Sequence, residues 1–146
     1  MMIREADNRA EALIDKLVDV WEKSVKETHH FLDTEAIEEI KHYVPAAIES
    51  TFHLLIALNE SDEPIAFLGT GNGMLDMLFI HPDERGKGLG RKMLEKAIAE
   101  YGCNELTVNE ENPDAIAFYK HMGFHAYRRS DTDEDGRPYP IIYMKL

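Results

Sequence analysis

Apolar residues recur along the first third of this chain every three or four positions, which is the period of an amphipathic helix. The pattern predicts a short edge strand at Ile3-Arg4 and then one long helix, whose inward positions are Ala10, Leu13, Ile14, Leu17, Val20, Trp21 and Ser24. Residues 29–50 are predicted to form two short helices. Asp33 or Thr34 can cap the first, and Pro45 should break it or begin a new turn because proline lacks an N–H.

Short apolar runs bounded by turn residues follow in the middle of the chain, and these are typical of strands. Residues 52–58 and 64–68 predict two strands, with a polar turn between them. Asn72-Gly73 then predicts a tight hairpin into a third strand at 74–80, because both central residues of a type I′ turn need positive φ. These three strands should form an antiparallel meander.

The order of elements changes after residue 80. Strand 74–80, a helix over 88–101 and a strand at 106–109 form a strand–helix–strand unit, whose two strands are expected to be parallel. Asn112 as cap and Pro113 at the first helical position open a further helix ending near Gly123. Two more strands follow, around 124–129 and 141–146. We therefore predict one α/β domain over residues 1–146, with a mixed sheet and helices on both faces.

Composition and charge restrict the classes of molecule that this protein is expected to bind. A chain of 146 residues with 44% hydrophobic and 30% charged residues suits a single globular domain. Its formal net charge of -12 argues against nucleic acid or an anionic membrane as the main partner, since both need a broad basic face. A single cysteine, Cys103, excludes an internal disulfide, and the first residues lack the apolar stretch of a signal peptide. A cytoplasmic location is expected.

The most informative stretch is Arg85-Gly86-Lys87-Gly88-Leu89-Gly90, which joins a predicted strand to a predicted helix. Alternate glycines let a ligand approach the backbone, and the first N–H groups of a helix are anion donors. Arg85, Lys87, Arg91 and Lys92 reverse the acidic charge of the chain locally, which favours a phosphate-bearing cofactor over a purely structural turn. The glycine spacing fits neither a Walker A loop nor a Rossmann fingerprint.

Residues 78–90, Leu-Phe-Ile-His-Pro-Asp-Glu-Arg-Gly-Lys-Gly-Leu-Gly, with Asn112, Tyr119 and Gly123-Phe124 downstream, resemble the GNAT N-acetyltransferase superfamily. That superfamily carries the pattern Leu-x-Val-x-Pro-x-x-Arg/Gln-x-x-Gly-x-Gly/Ala. Segments such as Thr28-His29 and 136–140 resemble its small bacterial YjaB-type members. The resemblance covers about 75–124 and implies a GNAT-like fold, in which the two parallel central strands splay apart.

The resemblance further implies acetyl-CoA as co-substrate, bound in the opening between the splayed strands. Backbone groups of Leu78, Phe79 and Ile80 would pair with the pantetheine arm, and Asn112 would contact that arm as well as cap its helix. Residues of the glycine-rich turn would hold the pyrophosphate, and these are Arg85, Gly86, Lys87, Gly88, Leu89, Gly90 and Arg91. No metal is expected, because adjacent histidines at 29 and 30 do not readily face one ion and the acidic loop 131–136 lacks the ligands of a calcium loop.

The implied catalytic acid is Tyr119, because a phenol still carries its proton near pH 7 and can donate it to a departing thiolate. Helical periodicity alone would make Tyr119 an ordinary core aromatic. The base is left open by the sequence. Thr107 stands where several family members carry a glutamate, so Asp76, His29 and an ordered water chain are the candidates.

Taken together, the sequence predicts an acetyl-CoA-dependent N-acetyltransferase in which a primary amine attacks the thioester directly in a ternary complex. One alternative is a CoA-binding sensor or regulatory module without turnover, and another is a nucleotide-binding protein of unrelated chemistry. The sequence does not separate small amines, antibiotics, amino acids and protein N-termini as acceptors. It is equally compatible with a monomer and a homodimer.

Overall fold

Seven strands form one mixed sheet in the computed structural model, which describes residues 1–146. The spatial order is β1-β2-β3-β4-β5-β7-β6, and all neighbours are antiparallel except the parallel pair β4 and β5. The strands are β1 (Met2–Glu5), β2 (His53–Leu58), β3 (Pro64–Gly71), β4 (Met74–Ile80), β5 (Glu105–Asn109), β6 (His125–Ser130) and β7 (Ile141–Lys145). The predicted meander and the predicted parallel unit are both confirmed.

Five α-helices flank the sheet, and they are α1 (Glu11–Thr28), α2 (Thr34–Lys41), α3 (Val44–Ser50), α4 (Leu89–Tyr101) and α5 (Pro113–His121). A single 3-10 turn, Pro82–Glu84, precedes the glycine-rich turn. Asp33 caps α2 by accepting a hydrogen bond of 2.7 Å from the Ala36 N–H. The chain leaves α2 before Pro45, which lies in the first turn of α3, where a missing N–H costs nothing.

Local turn chemistry sets the meander. Asn72 and Gly73 have φ of 53° and 81°, which is the positive pair that a type I′ hairpin requires. The prediction for β2 was wrong at its first residue, because Phe52 lies outside the strand and is 73% exposed. Its aromatic character is typical of a strand, but the end of α3 leaves it facing solvent.

The sheet separates two hydrophobic cores. One face packs against α1, α2 and α3, and Leu17, Ile48 and Phe67 are fully buried there. The other face packs against α4 and α5, where Leu68, Met93 and Leu106 are fully buried. Burying apolar surface on both sides is what places the central strands β3, β4 and β5 in the middle of the molecule.

The parallel strands β4 and β5 pair at only two positions, Met74 with Glu105 and Leu75 with Leu106. On its other side β4 stays paired with β3 as far as Ile80. Beyond Leu75, the edge of β4 that faces β5 therefore has no strand partner. The gap opens toward the carboxyl ends of both strands, which is where the glycine-rich turn and α5 begin.

No helix in this structure has both the length and the apolar composition needed to cross a membrane.

Candidate active site

A cavity of about 620 Å³ lies at the open end of the gap between β4 and β5. Its walls come from the end of β4, the glycine-rich turn, the first turns of α4, one face of α5 and the C-terminal part of α1. The lining residues are Ser24, Thr28, His29, Leu78, Phe79, Ile80, Glu84, Arg85, Gly86, Gly88, Leu89, Gly90, Arg91, Asn112, Asp114, Ala115, Phe118, Tyr119 and His121. Most residues that the sequence assigned to one site therefore do meet in one place.

The glycine-rich turn leaves room above its backbone. Gly86 and Gly88 have φ of 76° and 79°, a conformation that side chains disfavour, and no atom lies within 4 Å of the point where a Cβ would stand at either residue. Gly88 is the N-cap of α4, so it exposes the first N–H groups of that helix. The turn is an open cradle of backbone donors, which suits an anionic group.

The cationic side chains of the glycine-rich turn differ in whether a carboxylate already pairs with them. Arg91 is paired with Glu95, Nε to Oε1 at 2.6 Å, and Lys87 with Glu84 at 3.3 Å. Lys87 does not line the cavity, in contrast to the expectation for the whole turn. Arg85 lines the cavity and forms no salt bridge. Together with the positive end of α4, Arg85 makes this part of the cavity suitable for a pyrophosphate.

Asn112 and Tyr119 come from α5. Asn112 lines the cavity while its side chain accepts a hydrogen bond of 3.2 Å from the Ala115 N–H, so the capping role and the cavity position coexist. The Tyr119 ring packs edge-on against Phe118 and Phe124, at centroid distances of 5.3 and 6.1 Å. Burial, with a smaller contribution from the Cys103 thiol, raises the pKa of Tyr119, so its hydroxyl keeps its proton at neutral pH.

His29 follows the last residue of α1 and lines the same cavity. Burial lowers its pKa to about 4, and the charges of Arg85 and His30 contribute in the same direction. Its imidazole is therefore neutral at pH 7. The ring lies 5.4 Å from the ring of Phe31 and 6.5 Å from that of Phe79, centroid to centroid.

Asp76 occupies a different environment. It lies near the start of β4 and is not among the residues that line the cavity. The Thr51 hydroxyl donates a hydrogen bond of 3.0 Å to Asp76 Oδ2. Asp76 is exposed, but desolvation by the atoms around its carboxyl raises the pKa of that group, and the hydrogen bond from Thr51 lowers it by less.

A second cavity, of about 240 Å³, lies against β5 and the loop between β6 and β7. Its lining combines apolar and acidic side chains, and these are Phe31, Leu32, Ile40, Thr107, Asn109, Asp133, Glu134, Asp135, Tyr139 and Ile141. Phe31 lies against Tyr139 on one side, at 5.9 Å between centroids, and against His29 on the other. His29 therefore lines the large cavity and contacts Phe31, which lines the acidic one.

The sequence did not identify several of the residues that line the large cavity. Asp114, Phe118 and His121 lie at positions i, i+4 and i+7 of α5, so they share one helix face. That spacing could have indicated them once Asn112 was identified as the helix cap. Cys103 is 0% exposed and lines neither cavity. The structure contains no group of three or more His, Cys, Asp and Glu side chains arranged to hold a metal ion.

Comparison with known proteins adds independent findings. Residues 50–126 match the model of the acetyltransferase (GNAT) domain. The peptidyl-lysine N-acetyltransferase YjaB of Escherichia coli K12 is 38% identical over 130 residues, which cover 89% of this chain and 88% of YjaB.

Solved structures are similar over the whole chain. The solution structure of the apo form of YjaB from Escherichia coli has a TM-score of 0.87 with 35% sequence identity, covering 99% of this chain and 95% of that one. PaiA N-acetyltransferase from Thermoplasma acidophilum, solved in complex with coenzyme A, has a TM-score of 0.71 with 23% identity, covering 100% of both chains. At that lower identity the similarity concerns the fold alone.

Proposed function

We propose, because this chain belongs to the GNAT superfamily of N-acetyltransferases, that it transfers an acetyl group from acetyl-CoA to a lysine side chain by direct attack in a ternary complex. One observation carries this proposal. A single cavity is lined by the glycine-rich turn, by residues 78–80 on the unpaired edge of β4 and by Tyr119. An acyl transferase needs a phosphate site, a site for an extended arm and a proton donor within one volume.

The residues around the large cavity suit the parts of acetyl-CoA. The open backbone cradle at Gly86 and Gly88, with Arg85 beside it, would hold the pyrophosphate. The edge of β4 at Leu78–Ile80, together with Asn112, would hold the pantetheine arm by backbone and amide hydrogen bonds. When bound, acetyl-CoA supplies an acetyl group activated as a thioester.

Tyr119 would act as the general acid. A phenol carries its proton at neutral pH, so the hydroxyl can give that proton to the sulfur that leaves. Packing against Phe118 and Phe124 fixes the ring, which reduces the reorganisation needed for that transfer.

His29 would act as the base, and it is favoured over Asp76 because it lines the large cavity and contacts Phe31 of the second cavity, whereas Asp76 lines neither. An imidazole with a pKa of about 4 is far too weak to deprotonate a free alkylammonium, whose pKa is about 10.4. The amine would therefore arrive neutral and lose its proton to His29 as the new bond to nitrogen forms. In this role His29 needs only an available lone pair.

The acceptor would enter through the second cavity. YjaB is described as a peptidyl-lysine N-acetyltransferase. Here the aromatic and aliphatic side chains of Phe31 and Ile141 suit the methylene stem of a lysine, and the acidic residues Asp133 and Glu134 favour a cationic peptide around it. Proteins with lysine-rich exposed segments are the proposed acceptor class.

The test has two steps. In the first, calorimetric titration of the protein with acetyl-CoA should give saturable binding. In the second, lysine-containing peptides are incubated with the protein and acetyl-CoA, and mass spectrometry should show that the peptides gain an acetyl group. Binding without turnover on lysine peptides, free amines and amino acids would favour the alternative of a CoA-binding regulatory module. Absence of binding by the folded protein would overturn the proposed function.

A further inference from the structure

We propose that Thr28 is a positioning residue, which holds the His29 imidazole in the tautomer that carries its proton on Nδ1 and leaves the Nε2 lone pair free. The tautomer follows from hydrogen bonds within the chain. Its meaning for acetyl transfer rests on the proposed function above.

Two short contacts share one hydroxyl. Thr28 Oγ1 lies 2.8 Å from the carbonyl oxygen of Ser24 and 2.8 Å from His29 Nδ1. A hydroxyl has one proton, so it can donate to only one of these neighbours. The carbonyl of Ser24 can only accept, and a contact of 2.8 Å between two oxygens without a proton is unfavourable.

Only one arrangement gives each contact a proton. The Thr28 hydroxyl donates to the Ser24 carbonyl, and the Nδ1–H of His29 donates to the Thr28 oxygen. If Thr28 instead donated to Nδ1, its oxygen and that of Ser24 would face each other unprotonated. In a neutral imidazole, a proton on Nδ1 leaves Nε2 as the acceptor.

The groups around His29 keep its imidazole neutral at pH 7, and a neutral imidazole has two possible tautomers. The titratable groups that act on the ring are Arg85 and His30, and each lowers the pKa of His29. The neighbouring rings of Phe31 and Phe79 are apolar. No carboxylate pairs with the ring, so it stays neutral and its proton position is decided by hydrogen bonding.

The location of Thr28 explains how the arrangement stays rigid. Thr28 is the last residue of α1, and Ser24 is buried one helical turn earlier. A threonine hydroxyl that bonds the carbonyl four residues back has its χ1 fixed by the helix. The helix end therefore sets the orientation of the His29 ring, which lines the large cavity.

The direct test is ¹⁵N NMR of the unliganded protein labelled at histidine. The His29 Nε2 resonance should have the shift of an unprotonated, pyridine-type nitrogen, and Nδ1 that of a protonated, pyrrole-type nitrogen. A pyrrole-type Nε2 at pH 7 in the wild-type protein would overturn the proposal. This measurement does not depend on acetyl transfer, so it separates failure of the tautomer from failure of the proposed function.

Two variants extend the test to catalysis. Thr28→Val keeps the shape of the side chain and removes its hydroxyl. We expect the ¹⁵N shift of His29 Nε2 to move toward that of a protonated nitrogen. We also expect kcat to fall about tenfold, with the Kd for acetyl-CoA unchanged. Thr28→Ser keeps the hydroxyl and should restore both values. A tautomer that is unchanged in Thr28→Val would show that another group sets it. A changed tautomer with unchanged kcat would show that the position of the proton has no catalytic role.

Discussion

The Tyr101 hydroxyl donates a hydrogen bond of 2.7 Å to Glu5 Oε1, joining the end of α4 to the edge strand β1 across 96 residues of sequence. The other carboxylate oxygen of Glu5 lies 3.1 Å from His53 Nδ1, and the His53 and Tyr101 rings stack at 4.0 Å between centroids. The hydrogen bond from Tyr101 is the largest influence that lowers the pKa of Glu5 below 4.5. A short edge strand with no fully buried residue is thereby tied to the rest of the fold.

Replacing Tyr101 by phenylalanine should reduce the free energy of unfolding at pH 7 by about 0.5–1 kcal/mol. The lower value of this range allows for screening by solvent, because the Glu5 side chain is 36% exposed. Since the folded-state pKa of Glu5 is lowered, its contribution is present above about pH 4.5 and is lost as the pH falls. Urea unfolding at pH 7 and at pH 3 should therefore give a smaller difference at pH 3. Tyr43→Phe, at a residue 63% exposed, is the control and should change neither value.

Arg9 closes the C-terminal end of α3. Its guanidinium donates hydrogen bonds to four backbone carbonyls, those of Ile48, Glu49, Thr51 and Phe52, at 3.0, 2.8, 2.6 and 3.2 Å. An ammonium group cannot reach all of them, so Arg9→Lys should lower the free energy of unfolding by about 1–2 kcal/mol. Arg4→Lys, on the exposed side of β1, is the matched control. Equal urea midpoints for the two variants would contradict the capping role.

Gly88 and Gly102 allow the cofactor cradle to be tested against a matched position. They flank α4 at opposite ends, both have positive φ, and neither has an atom within 4 Å of its missing Cβ. Alanine at either residue should cost about 1–2 kcal/mol of stability because of the left-handed backbone. Only Gly88→Ala should also weaken acetyl-CoA binding, on the order of tenfold. A similar loss of calorimetric affinity in Gly102→Ala would point to general destabilisation instead.

Tyr119→Phe should lower kcat by about 10²–10⁴-fold and leave the Kd for acetyl-CoA unchanged, because it removes a proton donor and keeps the aromatic packing. Steady-state assays with a lysine peptide and a calorimetric titration measure the two quantities. Tyr127→Phe, on the exposed strand β6, is the control for loss of a phenol elsewhere. A kcat close to the wild-type value in Tyr119→Phe would remove Tyr119 as the acid.

Arg85→Met should raise the pKa of His29 above about 4, toward the ordinary value of 6.5, because the positive charge of Arg85 that opposes its protonation is gone. Burial, the larger cause, would remain, so the ordinary value should not be reached. NMR titration of the imidazole measures this change. Lys87→Met is the control, since Lys87 is paired with Glu84 and does not act on His29. An unchanged pKa in Arg85→Met would mean that the two side chains lie too far apart to interact.

Local signals in the sequence were sufficient for most of the secondary structure. Asn72-Gly73, Asn112-Pro113 and the glycine-rich turn each specify a backbone conformation through their own residues, so the hairpin, α5 and the start of α4 could be predicted. Phe52 shows the limit of this reasoning. Its strand propensity is outweighed by its place at the end of α3, which leaves it exposed.

Contacts between distant residues could not be predicted in the same way. Nothing near Arg9 in the sequence indicates the carbonyls of α3 as its partners. Likewise, a strand pattern placed Asp76 in the central sheet but could not show that Thr51 binds it away from the cavity. Thr28 and His29 are adjacent in sequence, yet the role of Thr28 depends on the helix end that brings Ser24 close.

The two pairings between β4 and β5 have a mechanical consequence. The sheet consists of a four-stranded part, β1 to β4, and a three-stranded part, β5 to β7. The two parts are joined at a seam of only two residue pairs. A change in the angle between these parts disturbs few interstrand hydrogen bonds. Bending the sheet between β2 and β3 would instead disturb a hydrogen-bond ladder that runs along the whole strand. The seam has the fewest residue pairs of any strand–strand connection in the sheet, and the large cavity lies beyond its open end, where residues 78–80 of β4 line it. A molecule bound in that cavity therefore contacts the part of β4 that has no partner in β5, next to the line at which the two parts of the sheet meet.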